Sequence, residues 1–189
     1  MGTETAPLPP TPTSLSVAME NYQPPGYEFR QGNQRDSPAG PVFNQRALLL
    51  AIMGRTLAEL GSDLGAAQIA HTIDTHLSTE TPVWWVNALQ PGGLPGNQTG
   101  SQPIACLWLG NAMDQRSGDR HAYVLLLYVD PDHRRRGIAT TLLALGEAWA
   151  RQRGDHQIGL QVYPDNTAAL GLYQHQGYQT SALWMTKPL

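Results

Sequence analysis

Apolar and polar positions along this 189-residue chain fall into two alternating rhythms. Short runs rich in β-branched and aromatic residues predict strands: "YEFRQGN" (27–33), "TPVWWVNAL" (81–89), "PIACLWLG" (103–110), "QIGLQVY" (157–163) and, closing the chain, "ALWMTKPL" (182–189). "HAYVLLLYV" (121–129) is apolar without interruption, the pattern of a central strand buried on both faces. Between these runs the spacing becomes helical. A helix is expected over 41–60, with Pro41 in its first turn and Val42, Leu49, Met53, Leu57 and Leu60 in step. Gly61 and Ser62 break it, and Asp63 can cap a second helix running to about Leu77. A third starts near Gly137, with Ile138, Leu142, Leu145 and Trp149 on one stripe. A fourth runs from Asn166 to Gln176 and stops at Gly177, a glycine in the C-terminal cap position.

The resulting order, β-α-α-β-β-β-α-β-α-β, is an α/β arrangement in which helices pack on a mixed sheet. The Pro/Thr-rich residues 1–25 read as a mobile tail or a wrapping segment, and 26–189 as one domain. No apolar stretch approaches the ~20 residues needed to span a bilayer. No basic segment followed by an apolar one opens the chain, so the expectation is a cytoplasmic protein without a secretory signal. The single cysteine, Cys106, excludes an internal disulfide and lies in an apolar run, as a buried inert thiol does.

Charge changes the picture at one place. The chain is acidic, with 12 Lys+Arg against 15 Asp+Glu, yet "VDPDHRRRGIATTLL" (129–143) packs His133, Arg134, Arg135 and Arg136 against Gly137. The balance argues against nucleic acid or an anionic membrane as a partner. A strand, a turn and a glycine ahead of a helix form a different kind of anion site. The first N–H groups of a helix have no partner within it and sit on the positive end of its dipole. From this segment alone, a turn with solvated arginines fits as well. The spacing is neither that of a Walker loop nor that of a dinucleotide fingerprint.

The segment resembles the acetyl-CoA-binding signature of the GNAT-type N-acetyltransferase superfamily: Arg134, Gly137 and Ala139 fill [R/Q]-x-x-G-x-[G/A]. "LQVYPDNTAALGLYQHQGY" (160–178) resembles that family's second cofactor segment through Leu160, Val162, Asn166, Ala169, Leu172, Tyr173, Gly177 and Tyr178. The close likeness covers about 121–178, and the element order agrees with the family's fold. The resemblance implies acetyl-CoA as acyl donor, with no metal. The backbone N–H groups from Arg135 to Thr140, through Arg136, Gly137, Ile138 and Ala139, would hold its pyrophosphate, and the side chains of Arg134, Arg135 and Arg136 would add charge around it or grip other phosphates of the same ligand. Leu127 and Val129 would lie along the pantetheine arm, and Asn166 and Tyr173 would also face the cofactor. Tyr173 would be the general acid for the leaving thiolate, and an amide near the splayed end of strand 121–129 would polarise the acetyl carbonyl. The implied acceptor is a primary amine on a small molecule or peptide.

Many relatives carry a carboxylate on the strand equivalent to 121–128, and here there is none. His121, Asp119, Glu80, Glu28 or a water relay are the candidates for the base. The same gap leaves open a non-catalytic acyl-CoA-binding module. His71 and His76, five apart, do not share a helix face for one metal. Trp84 and Trp85 point to opposite sides of their strand. One is expected in the core and the other near the surface, where an acceptor pocket or a homodimer contact is open to it. Asn97–Thr99 matches a glycosylation sequon, which carries no weight without a secretory signal.

Overall fold

A computed structural model describes residues 23–32, 45–89 and 102–188. Expectations for the N-terminal tail to residue 22, for Asn33, for the helix start at 41–44, for the loop at 90–101 and for the sequon lie outside the described residues. The elements are β1 (Tyr27–Gln31), α1 (Gln45–Glu59), α2 (Ala66–His76), β2 (Val83–Ala88), β3 (Ala105–Met113), β4 (Arg120–Val129), α3 (Ile138–Gln152), β5 (Ile158–Leu160) and α4 (Thr167–His175). The strands form one sheet in the order β1-β2-β3-β4-β5, antiparallel from β1 through β4. The described residues up to Gly159 form one compact unit and those from Leu160 a second.

In the first unit, helices cover both sides of the sheet. On one side Trp85, Cys106, Trp108, Leu126 and Tyr128 cluster with Leu49 and Ile52 of α1 and Ile69 and Ile73 of α2. On the other side α3 approaches β3 so closely at Gly146 that a Cβ there would come within 2.9 Å of Leu107. Ile138, Leu142 and Leu145 of α3 are buried as the stripe requires. Trp149 is only half-buried and stacks beneath the Arg153 guanidinium, 4.0 Å from the ring centroid.

Burial along β4 alternates instead of being continuous: Ala122, Val124, Leu126 and Tyr128 are buried, while Tyr123, Leu125, Leu127 and Val129 are half-buried. A bulge gives this alternation a second consequence. Trp108 pairs with Leu126 but Leu109 pairs with Val124, so Leu125 has no register partner. Register partners share a side of the sheet. Val124 therefore lies with Leu109 towards α3, and Leu126 lies with Trp108 towards α1 and α2. One extra residue lets a single every-second series of apolar side chains serve both cores.

Other expectations are corrected. Trp84 and Trp85 are each 1% exposed, so both belong to the core and neither is at the surface. The second helix starts after Gly65, not at Asp63. In α1, Leu49 and Ile52 are the buried positions, and Leu60 falls beyond the helix end, exposed. β5 is shorter than its apolar run. Residues 181–188 form no strand, and Leu183, Trp184 and Met185 stand exposed. β-propensity alone does not make a strand without a ladder to join. No helix of the described residues is long and apolar enough to cross a membrane.

Candidate active site

The loop after β4 is built by local chemistry. Asp130 donates its N–H to the Ile104 carbonyl (2.8 Å), which roots the loop beside β3. Its carboxylate accepts from the Asp132 N–H (3.2 Å), and its carbonyl accepts from the His133 N–H (2.9 Å), forming a single 3-10 turn over Pro131–His133. The chain then bends twice through left-handed conformations, at Arg135 (φ 61°) and at Gly137 (φ 82°). A Cβ at Gly137 would meet nothing within 4 Å among the described residues, so the positive φ, not crowding, is what calls for glycine there.

The first hydrogen bond of α3 runs from the Thr141 N–H to the Gly137 carbonyl (3.0 Å). Among the described residues, no hydrogen bond is made by the backbone N–H groups of Arg135, Arg136, Gly137, Ile138, Ala139 and Thr140. This run of unspent donors on a bent backbone, at the positive end of a four-turn helix, has the geometry that can receive an anion.

Two of the three arginines, though exposed, bond to other parts of the protein. Arg134 donates through Nε to the Val129 carbonyl (2.9 Å) and pairs with Glu59 of α1, bracing the loop against that helix. Arg136 donates to the Tyr27 hydroxyl (3.1 Å) and to the Asp132 carbonyl (3.0 Å). The Tyr27 hydroxyl also lies 3.1 Å from His133 Nδ1, with the two rings edge-on at 5.7 Å. Arg135 alone projects without such a partner among the described residues. Two of the three charges that stand out in the sequence thus brace the loop. Leu127 and Val129, half-buried, lie on the side of β4 shared with Leu107 and Ala105.

In the second unit, Asn166 caps α4 by accepting from the Ala169 N–H (3.2 Å). The other end is a Schellman motif: Tyr178 N–H donates to the Tyr173 carbonyl (3.0 Å) and Gly177 N–H to the Gln174 carbonyl (3.1 Å), with Gly177 at φ 86°. The motif brings the rings of Tyr173 and Tyr178 to 5.6 Å. The glycine–aromatic pair that ends the sequence motif therefore has a mechanical reading: it closes the helix and sets a second ring against Tyr173. Burial pushes the Tyr173 phenol up to about 12.

The four base candidates are scattered. Glu28 is paired with Arg30 of the same strand (2.8 Å). Glu80 and Asp119 are exposed in connecting segments. His121 places Nδ1 2.9 Å from the Ala122 carbonyl, and Gly159 of β5 leaves room for its ring, since a Cβ there would lie 3.1 Å from it. The structure does not bring these groups together. Cys106 is fully buried, and burial pushes its thiol up. Among the described residues no cluster of His, Cys, Asp and Glu could hold a metal ion.

Residues 67–178 match the model of the acetyltransferase (GNAT) family. The chain belongs to that family. Relatives by sequence are a mycothiol acetyltransferase of Clavibacter sepedonicus, 40% identical over 62 residues (33% of this chain, 20% of that protein), and an uncharacterized N-acetyltransferase of Methanocaldococcus jannaschii, 30% identical over 84 residues (44% and 35%). The chain thus spans between a fifth and about a third of the length of these relatives. By structure it is similar to an acetyltransferase of Clostridium acetobutylicum crystallised with acetyl-CoA (TM-score 0.64, 18% identity, 86% of this chain and 96% of that one). It is also similar to an aminoglycoside N-acetyltransferase in complex with CoA (TM-score 0.61, 14% identity, 86% and 94%). At these identities the structural likeness concerns the fold.

Proposed function

We propose that this GNAT protein is an acetyl-CoA-dependent N-acetyltransferase that transfers the acetyl group directly to a primary amine of a small molecule or peptide. The observation that carries the reading is the set of unspent N–H groups from Arg135 to Thr140, at the loop where the family signature falls. A diphosphate is the anion that such a row of donors suits, and acetyl-CoA, the donor substrate, supplies one. Leu127 and Val129 then flank the pantetheine arm, and Arg135 adds charge at the phosphates.

In the reaction the amine nitrogen bonds to the acetyl carbon, the carbon–sulfur bond breaks, and CoA leaves as thiolate. The amine gives up a proton to a base or to water. His121 and a water relay are the candidates for that role. Tyr173 serves the leaving sulfur. A phenol near 12 is protonated at every physiological pH, so its hydrogen is always available. Complete transfer to a thiolate of ordinary pKa, about 8.5, is uphill by roughly three and a half units. Its contribution is therefore a hydrogen bond that strengthens as charge develops on sulfur.

The test is thiol release from acetyl-CoA across a panel of primary amines, with mass spectrometry of the products. Amine-dependent release with a mass gain of one acetyl group is expected. Tight CoA binding with no release for any amine would favour the non-catalytic module, for which the missing carboxylate on β4 speaks. Mycothiol and aminoglycoside acetyltransferases among the similar proteins motivate a panel weighted towards amino sugars and thiol-bearing amines. A cytoplasmic location, with its acetyl-CoA supply, agrees with this reading.

A further inference from the structure

Beside the amide nest lies a second feature that the family signature does not contain. A cleft of about 450 Å³ is walled by Pro24, Pro25, Tyr27 and Leu89 and edged by His133 and Arg136. Its volume is within the ~300–1,000 Å³ typical of small-molecule sites. The walls are flat and mostly apolar, and both edge residues carry nitrogen donors.

The polar edge is pre-set. Tyr27 accepts from Arg136 and its hydroxyl lies 3.1 Å from His133 Nδ1, so one phenol ties both edge residues and leaves the imidazole Nε2 without a bond among the described residues. The guanidinium is held by the Tyr27 hydroxyl and the Asp132 carbonyl, and its remaining N–H groups make no hydrogen bond among the described residues. A guanidinium fixed at two points loses little freedom when it binds an oxyanion. Arg136 also belongs to the nest through its main chain. One residue therefore offers its N–H to one anion and its side chain to another.

We propose that this cleft is a subsite for the nucleotide end of the acyl-CoA donor, with Pro24, Pro25 and Leu89 against the purine and Arg136 and His133 on the ribose 3′-phosphate. The proposal rests on the acyl-CoA reading above. It matches the chemistry of the donor, in which a diphosphate and a separate phosphate are joined through one ribose. Tyr27 acts as a positioning residue that holds both edge groups.

The test compares CoA with dephospho-CoA, which differs only by the 3′-phosphate, using calorimetry on the full chain. Wild type is expected to bind dephospho-CoA about tenfold more weakly, the scale of one charge-assisted contact. In Arg136→Gln the affinity for CoA should fall to the dephospho-CoA level while that for dephospho-CoA stays nearly unchanged, so the ratio approaches one. Tyr27→Phe should reduce the ratio partially. Equal binding of both ligands by wild type would overturn the subsite. So would a ratio that survives Arg136→Gln, or a variant that weakens both ligands alike, since Arg136 would then only shape the loop. Failure of wild type to bind either ligand would instead overturn the acyl-CoA reading, and this subsite with it.

Discussion

The loop after β4 and the helix cap after α4 solve different problems with similar means. Each turns on a glycine held at positive φ, Gly137 in the loop and Gly177 at the cap. At the first, the glycine leaves main-chain donors open, and the neighbouring side chains brace the loop around them. At the second, the glycine closes the main chain onto itself, and one side chain, Tyr173, is set in place against Tyr178. The comparison predicts that the loop is sensitive to backbone changes and the cap to side-chain changes.

The largest effect should come from Gly137→Pro. Proline fixes φ near −65° and removes an N–H, against an observed φ of 82°. Affinity for acetyl-CoA should fall by more than about 100-fold in calorimetry. Gly137→Ala, which keeps the N–H and meets strain of about 1–2 kcal/mol, should fall by far less.

Tyr173→Phe should lower kcat by roughly 100-fold and leave acetyl-CoA affinity unchanged, the signature of an interaction made as charge develops on sulfur. In a phenolate absorbance titration the same variant should lack the component that titrates near 12. The native pKa is raised above the ordinary phenol value, about 10. Tyr173 therefore contributes no pH dependence to stability below about 10. It favours unfolding as pH rises from there to about 12, and the phenylalanine variant should lose that part of the alkaline slope.

Tyr178→Ala should be milder: a stability loss of about 1–2 kcal/mol from the half-buried ring, seen in urea unfolding, with a lower kcat through a less ordered Tyr173. An unchanged kcat would separate the cap from the chemistry. Smallest of all, Arg135→Ala should weaken acetyl-CoA a few-fold, and only at low salt, as expected for an exposed charge.

Most of the element order was legible because hydrophobic rhythm is a local signal. The Asn166 cap, the Gly177 stop and the Ile138–Leu142–Leu145 stripe are each set within a few residues. What was not legible depends on contacts distant in sequence. The bulge at Leu125 leaves no mark in "HAYVLLLYV", because its cause is register against β3. The roles of Arg134 and Arg136 could not be read either, since Glu59 and Tyr27, their partners, lie 75 and 109 positions away. Seen alone the arginines suggested ligand contacts, and the structure ties two of them to other parts of the protein while leaving them exposed. Both tryptophans of β2 are buried because helices cover both sides of the sheet, which a two-residue pattern cannot reveal.

The central claim is that main-chain N–H groups of residues 135–140 hold the donor's phosphates. Amide chemical shifts of the full chain during a CoA titration test it directly. The account predicts large, saturable shifts for Arg135 to Thr140, with much smaller ones across α2. CoA binding that leaves those amides unmoved would contradict it.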